Sequence, residues 1–186
     1  MTDQEPAVGL PGIERPDIII PDAGPLIHLA QADALGLLHE VGGAVVLVDV
    51  VRHDLIDDIE KPAARRLQAW IEAGLLPGSN RPVRLELTET GEAYRLARLV
   101  KPEFRMKGGG EAAILEWLGR AIDGTDHATI VVYENGRVPR AISSQGMDAD
   151  IDVLTTRAFL DLAERRGFVA SAEAVLAAHR NNDSYL

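Results

Sequence analysis

Apolar residues recur along this chain in two rhythms. Mainly apolar runs at 17–21, across Ala44–Val51 behind Gly42-Gly43, and in "ATIVVYE" ending at Glu134 read as buried strands. The segment "PVRLELTE" alternates like a strand with one wet face, and "RAIS" reads as a short fifth strand. Between these runs apolar positions return every three or four residues. Helices are expected from about 24 to 40, through Asp54–Ile59, over "PAARRLQAWIEAG", over 89–100, and over "EAAILEWLGRAI", "TTRAFLDLAERRG" and "SAEAVLAAHR". Pro62 suits a first helical turn and Gly74 a stop, while Leu67, Trp70 and Ile71 mark one buried stripe and Ile114, Leu115, Leu118 and Ile122 another. Strand and helix alternate, which predicts a three-layer α/β/α fold whose mainly parallel five-stranded sheet is covered on both faces.

In such folds ligands gather outside the carboxyl ends of the strands. Asp22 follows the first strand, Asp54 lies just beyond the second, Glu111 opens a helix after Gly108-Gly109-Gly110, and Glu134 ends a central strand. Each acid has an ordinary explanation as well. Asp22 could cap the helix that begins near Pro25, Asp54 could be a solvated member of the run Asp54, Asp57, Asp58, Glu60, Glu111 could answer the helix dipole, and Glu134 could be loop chemistry. Together the four carboxylates would repel one another toward protonation unless a cation sat among them. Hard divalent ions with oxygen ligands meet that need.

The chain has 186 residues, 46% of them hydrophobic, enough for one domain over 17–186 with residues 1–16 as a flexible extension. Cysteine is absent, so thiolate ligands and disulfides are excluded and a reducing cytoplasm is the expected home. No run suggests a secretory leader or a membrane span. Lys and Arg number 19 against 29 Asp and Glu, a net charge of −10 that rules out gripping nucleic acid by bulk attraction. Local basic residues or bound cations would have to do it.

The four acidic motifs, taken in order, resemble the PIN domain, the nuclease family that includes the VapC-type toxins of toxin–antitoxin pairs. The likeness runs from about residue 17 to residue 169. It rests on "IIIPDAGPLIHL" for Asp22, "VDVVRHDLI" for Asp54, "KGGGEAAILEWL" for Glu111, "TIVVYENGRVPRAI" for Glu134 and Asn135, and "DVLTTRAFLDLAERRGFV" for a hydroxyl at Thr155 or Thr156. The resemblance implies a Rossmann-like sheet and Mg²⁺- or Mn²⁺-dependent hydrolysis of RNA, with Asp22, Asp54, Glu111 and Glu134 as catalytic acids and metal ligands. It also implies a homodimer and a cognate antitoxin that blocks the site with an Arg. Arg52, Lys107, Arg137 and Arg140 lie near the site segments and would steer the RNA backbone. Three departures stand out: Asp54 where the family has glutamate, Glu134-Asn135 where it has aspartates, and Gly24 where it has a hydroxyl residue. They favour a second possibility, a PIN-fold scaffold that binds without turnover.

Other motifs carry less. "KGGGE" lacks the Gly-Lys-Ser/Thr of a phosphate loop, and "DADID" at 148–152 lacks the glycine and terminal acid of a calcium loop. His28, His39, His53, His127 and His179 have no paired ligand spacing and are expected to pack or face solvent. Trp70 and Trp117 are expected in the core.

Overall fold

The computed structural model describes residues 16–57, 60–122, 128–134, 142 and 151–182. Five strands run parallel in one sheet: β1 (Ile18–Pro21), β2 (Ala44–Val48), β3 (Val83–Glu86), β4 (Thr129–Tyr133) and β5 (Ile151–Thr155), in the order β3-β2-β1-β4-β5. Eight helices are found among the described residues: α1 (Ala23–Gln31), α2 (Leu37–Val41), α3 (Asp49–Ile56), α4 (Pro62–Leu75), α5 (Glu89–Val100), α6 (Gly109–Ile122), α7 (Thr156–Arg165) and α8 (Ala172–Asn182). The expected three-layer α/β/α arrangement is the observed one. No helix among the described residues is long and apolar enough to cross a membrane.

Burial explains the two kinds of strand. β1 and β2 are buried throughout and β4 at all but its last residue, as a sheet covered on both faces requires. The edge strands β3 and β5 are only half-buried. Ile19, Ile20, Val45, Leu47, Ile130 and Val131 fill the centre, joined by Leu26, Leu67, Ile114 and Phe159 from the helices. Trp70 and Trp117 pack against this core, partly buried.

Several boundaries differ from the sequence reading. The expected helix over 24–40 breaks into α1 and α2, because Asp33 takes a left-handed conformation, φ 54°, and Ala34 N–H folds back on the Leu29 carbonyl. The run Ala44–Val51 is strand only to Val48, and Val50 and Val51 are buried helical residues of α3. Gly74 does not stop α4. A Cβ there would meet Val83 Cγ2 at 2.3 Å, so the glycine lets the helix lie against β3. The fifth strand is Ile151–Thr155, not "RAIS". Of that segment only Ile142 is described, helical and buried. Residues 1–15, most of the expected extension, lie outside the described residues.

Candidate active site at the carboxyl edge of the sheet

Strand order reverses between β1 and β4, the place where a parallel α/β sheet opens a crevice. Pro21 pairs with Val132, and the residue after β1, Asp22, donates its N–H to the Val132 carbonyl at 2.8 Å. Asp22 and Glu134, the residue after β4, thus leave the sheet side by side. Asp22 occupies the N-cap position of α1, yet its side chain accepts no capping hydrogen bond. Burial raises its carboxyl above the usual range, the Ala23 N–H opposes the rise, and the charge of Glu134 adds to it.

Glu134 is held by two groups that the resemblance and the charge pattern weigh differently. Thr156 Oγ1, buried at the start of α7, donates to Glu134 Oε1. His28 Nδ1 from α1 lies 3.1 Å from the same oxygen. Gly24, one turn before His28, has a backbone any residue could adopt, but a Cβ there would sit 2.7 Å from Glu134 Cγ. The missing side chain at 24 is therefore the room that the extra methylene of Glu134 occupies. His28, half-buried, keeps the expected surface-side place and adds a polar contact to Glu134 there.

Asp54 sits on α3 and reaches the surface. Desolvation of its carboxyl raises the proton affinity, the Tyr94 hydroxyl (3.4 Å) and Arg105 oppose this, and Asp22 and Asp57 add repulsion. Solvent screens a group so placed, so Asp22 carries the electrostatic argument. Beside it, Arg98 (2.7 Å) and Arg105 both pair with Asp57; partial burial works against them, yet they hold its carboxyl below the ordinary range. Glu111 stands half-buried in the first turn of α6. The residue before it, Gly110, is where that turn meets the site: a Cβ would be 3.0 Å from Asp22 Oδ1.

The remaining expected residues divide. Thr155 caps α7 by accepting from the Ala158 N–H at 3.1 Å and is exposed, so Thr156 is the hydroxyl at the acids. Arg52 is half-buried on α3 and Lys107 exposed just before α6. Asn135, Arg137 and Arg140 lie outside the described residues. Sequence reasoning missed Arg105 and Tyr94, which contact the acids from α5 and the segment behind it. It also missed Asp49, whose buried carboxylate accepts from the Thr88 hydroxyl (2.8 Å), the Thr88 N–H (3.3 Å) and the Val50 N–H (3.0 Å), locking α3 to the cap of α5.

Among the described residues no three His, Cys, Asp or Glu side chains stand close enough together to enclose a metal ion. The donor set still fits one in kind. Mg²⁺ takes oxygen ligands, commonly one or two carboxylates with water and substrate phosphate completing the shell, and Asp22 and Glu134 are two neighbouring carboxylates that repel in its absence. A surface pocket of about 530 Å³ lies elsewhere, lined by Trp70, Gly74, Leu76 and Arg81 between α4 and β3. The chain matches no family model, no curated protein and no solved structure.

Proposed function

We propose that this chain is a PIN-like, metal-dependent endoribonuclease that hydrolyses RNA phosphodiester bonds and serves as the toxin of a toxin–antitoxin pair. The observation that carries the reading is the pairing of Asp22 and Glu134 at the topological switch point, where burial and mutual repulsion raise the Asp22 carboxyl. Asp22 and Glu134 would hold Mg²⁺ or Mn²⁺, with Asp54 and Glu111 completing the acidic rim. Such an ion supplies a water activated at neutral pH and charge stabilisation on the phosphate.

The chain's own residues do the rest. Tyr94 and the Arg98–Asp57–Arg105 network fix the wall beside Asp54. Arg105 and Lys107, both exposed, give the RNA backbone positive contacts in a chain of net charge −10. Leu96, Leu99 and Val100 expose an apolar face of α5, 53%, 76% and 89% accessible, which supports a homodimer that light scattering can detect. An antitoxin Arg would pair bidentately with the open carboxylates.

The scaffold reading stands second, favoured by the lack of a three-ligand cluster among the described residues. Metal titration separates the two. The nuclease binds Mn²⁺ dependent on Asp22 and gains about 2.7 kcal/mol of stability at a hundredfold excess over Kd. Absence of binding at millimolar Mn²⁺ leaves the scaffold.

A further inference from the structure

α5 is apolar on two sides. Its inward side buries Gly91 and Tyr94, while Leu96, Leu99 and Val100, spaced three and four apart, form a stripe that stands in solvent. Val100, at 89%, is the most exposed large hydrophobic residue among the described ones. Single exposed apolar residues are ordinary on a protein surface, whereas a contiguous stripe marks a place where another molecule sits. The charge around the stripe departs from the rest of the chain. Residues 95–107 hold Arg95, Arg98, Lys101, Arg105 and Lys107 against Glu103, five bases less one acid, a local charge of +4 in a chain of −10. Arg98 and Arg105 turn to Asp57. Arg95, one turn before Leu99, and Lys101, directly after Val100, are exposed and rim the stripe. Lys101 meets Glu103 at 3.8 Å, with both side chains mostly in water, a pair that solvent keeps weak. Glu92, one turn before Leu96, is the acidic end of the same side.

We infer that this side of α5 docks an acidic amphipathic helix of a partner protein, one that sets apolar residues on Leu96, Leu99 and Val100 and its own Asp or Glu over Arg95 and Lys101. The inference goes beyond the nuclease reading and needs neither a metal nor the four acids. Charge decides among the occupants. A second copy can use the face in isolation, but an antiparallel self-pair centred on the stripe sets Arg95 against Lys101, and an acidic helix, free of that repulsion, displaces it. A membrane is broad enough to bring the other acids of a chain of net charge −10 against anionic headgroups. RNA stacks its bases on aromatic rings, and the stripe offers aliphatic side chains only.

The test titrates the intact protein into a fluorescent peptide of about 20 residues, with leucines on one helical face and glutamates on the others, and reads anisotropy. Two controls share its leucines: one carries lysine for every glutamate, the other the same residues in scrambled order. The glutamate peptide should bind at least about tenfold more tightly than either control, and its binding should weaken as salt rises to about 1 M. Leu99→Ala combined with Val100→Ala should weaken it by about tenfold or more at an unchanged melting temperature, since both side chains already stand in water. Arg95→Glu combined with Lys101→Glu should reverse the preference and make the lysine peptide the tighter ligand. A glutamate peptide that fails to bind, binds no better than its controls, or binds the Leu99 and Val100 variant equally overturns the inference. So does a dimer, seen by light scattering, that persists at saturating peptide. Phosphatidylserine vesicles or single-stranded RNA that displace the bound peptide would assign the face to a membrane or to RNA and overturn it as well. None of these results touches the nuclease reading, whose own failure leaves the docking face in place.

Discussion

Gly91 tests how rigidly the scaffold behind the site is set. It lies in the first turn of α5, and its N–H donates to the Thr88 hydroxyl at 2.9 Å. An ordinary glycine-to-alanine change inside a helix stabilises by about 0.5–1 kcal/mol. Here a Cβ would fall 1.9 Å from Asp49 Oδ2 and 2.2 Å from Oδ1, so the buried carboxylate would have to leave. Its two bonds to Thr88 go with it, and hydrogen bonds to a charged group are worth roughly 1.5–3 kcal/mol each. Subtracting the helix gain from the loss leaves a net destabilisation of about 2–5 kcal/mol. For a chain of this size each kcal/mol shifts Tm by about 2–4 °C, so a central loss of ~3 kcal/mol lowers it by about 6–12 °C. Calorimetric melting of wild type and Gly91→Ala at one pH, in metal-free buffer, measures the difference. Asp49→Ala combined with Gly91→Ala should lose less than the two single losses summed, because the clash is gone. A Gly91→Ala protein that melts at or above the wild-type temperature would refute the joint between α3 and α5.

Three further outcomes are expected. His39, 6% exposed against Trp70, has its pKa lowered from 6.5 to about 4 by burial and then by Arg81, with Glu40 opposing. The unfolded chain binds the extra proton between those values, so stability falls on acidification through that window with a slope approaching ~1.4 kcal/mol per pH unit, and His39→Leu should flatten the fall in urea titrations. Asp22→Asn should raise Tm in metal-free neutral buffer, since the wild-type carboxyl is raised above 3.8 and its ionisation destabilises the fold; the gain should vanish at pH values below 3.8, where Asp22 is protonated in both states. Asp57→Ala frees Arg98 and Arg105, with a loss of about 1 kcal/mol that shrinks when the melt is repeated in about 1 M salt.

The sheet was legible because its strands and helices write different periods. Glu89–Val100 emerges with the boundaries its pattern predicts, framed by the Thr88 cap. Legibility fails where period is silent. Ala44–Val51 is buried from end to end, so no alternation separates the strand from the first turn of α3, and the switch is set by Asp49 finding Thr88, 39 residues away. β5 is an edge strand with "IDVLT" half in solvent, too polar to stand out beside the runs in the centre. Asp33 turns the chain by a conformation that asparagine or glycine would have announced more clearly.

Asp22 and Glu134 were legible as strand-end residues because fold class alone places such positions together, whereas Asp54 and Glu111 stand on helices. Their partners were not, since nothing local ties His28 to Glu134 across 106 positions or Tyr94 to Asp54 across 40. Gly24 could be noticed as a departure from a motif. Its cause, the methylene of Glu134, required the packed site.

Cleavage of single-stranded RNA in Mn²⁺ by wild type and Asp22→Asn, at equal concentration and with both proteins shown folded by melting, tests the central claim most directly. Metal-assisted charge stabilisation is worth several kcal/mol, and each ~1.4 kcal/mol is tenfold in rate. Wild type should cut, chelation by EDTA should stop it, and Asp22→Asn should be slower by at least about a hundredfold while melting no lower than wild type. Equal cleavage by the two proteins, or none by wild type, would contradict the assignment of the aspartate behind the three isoleucines to phosphodiester chemistry.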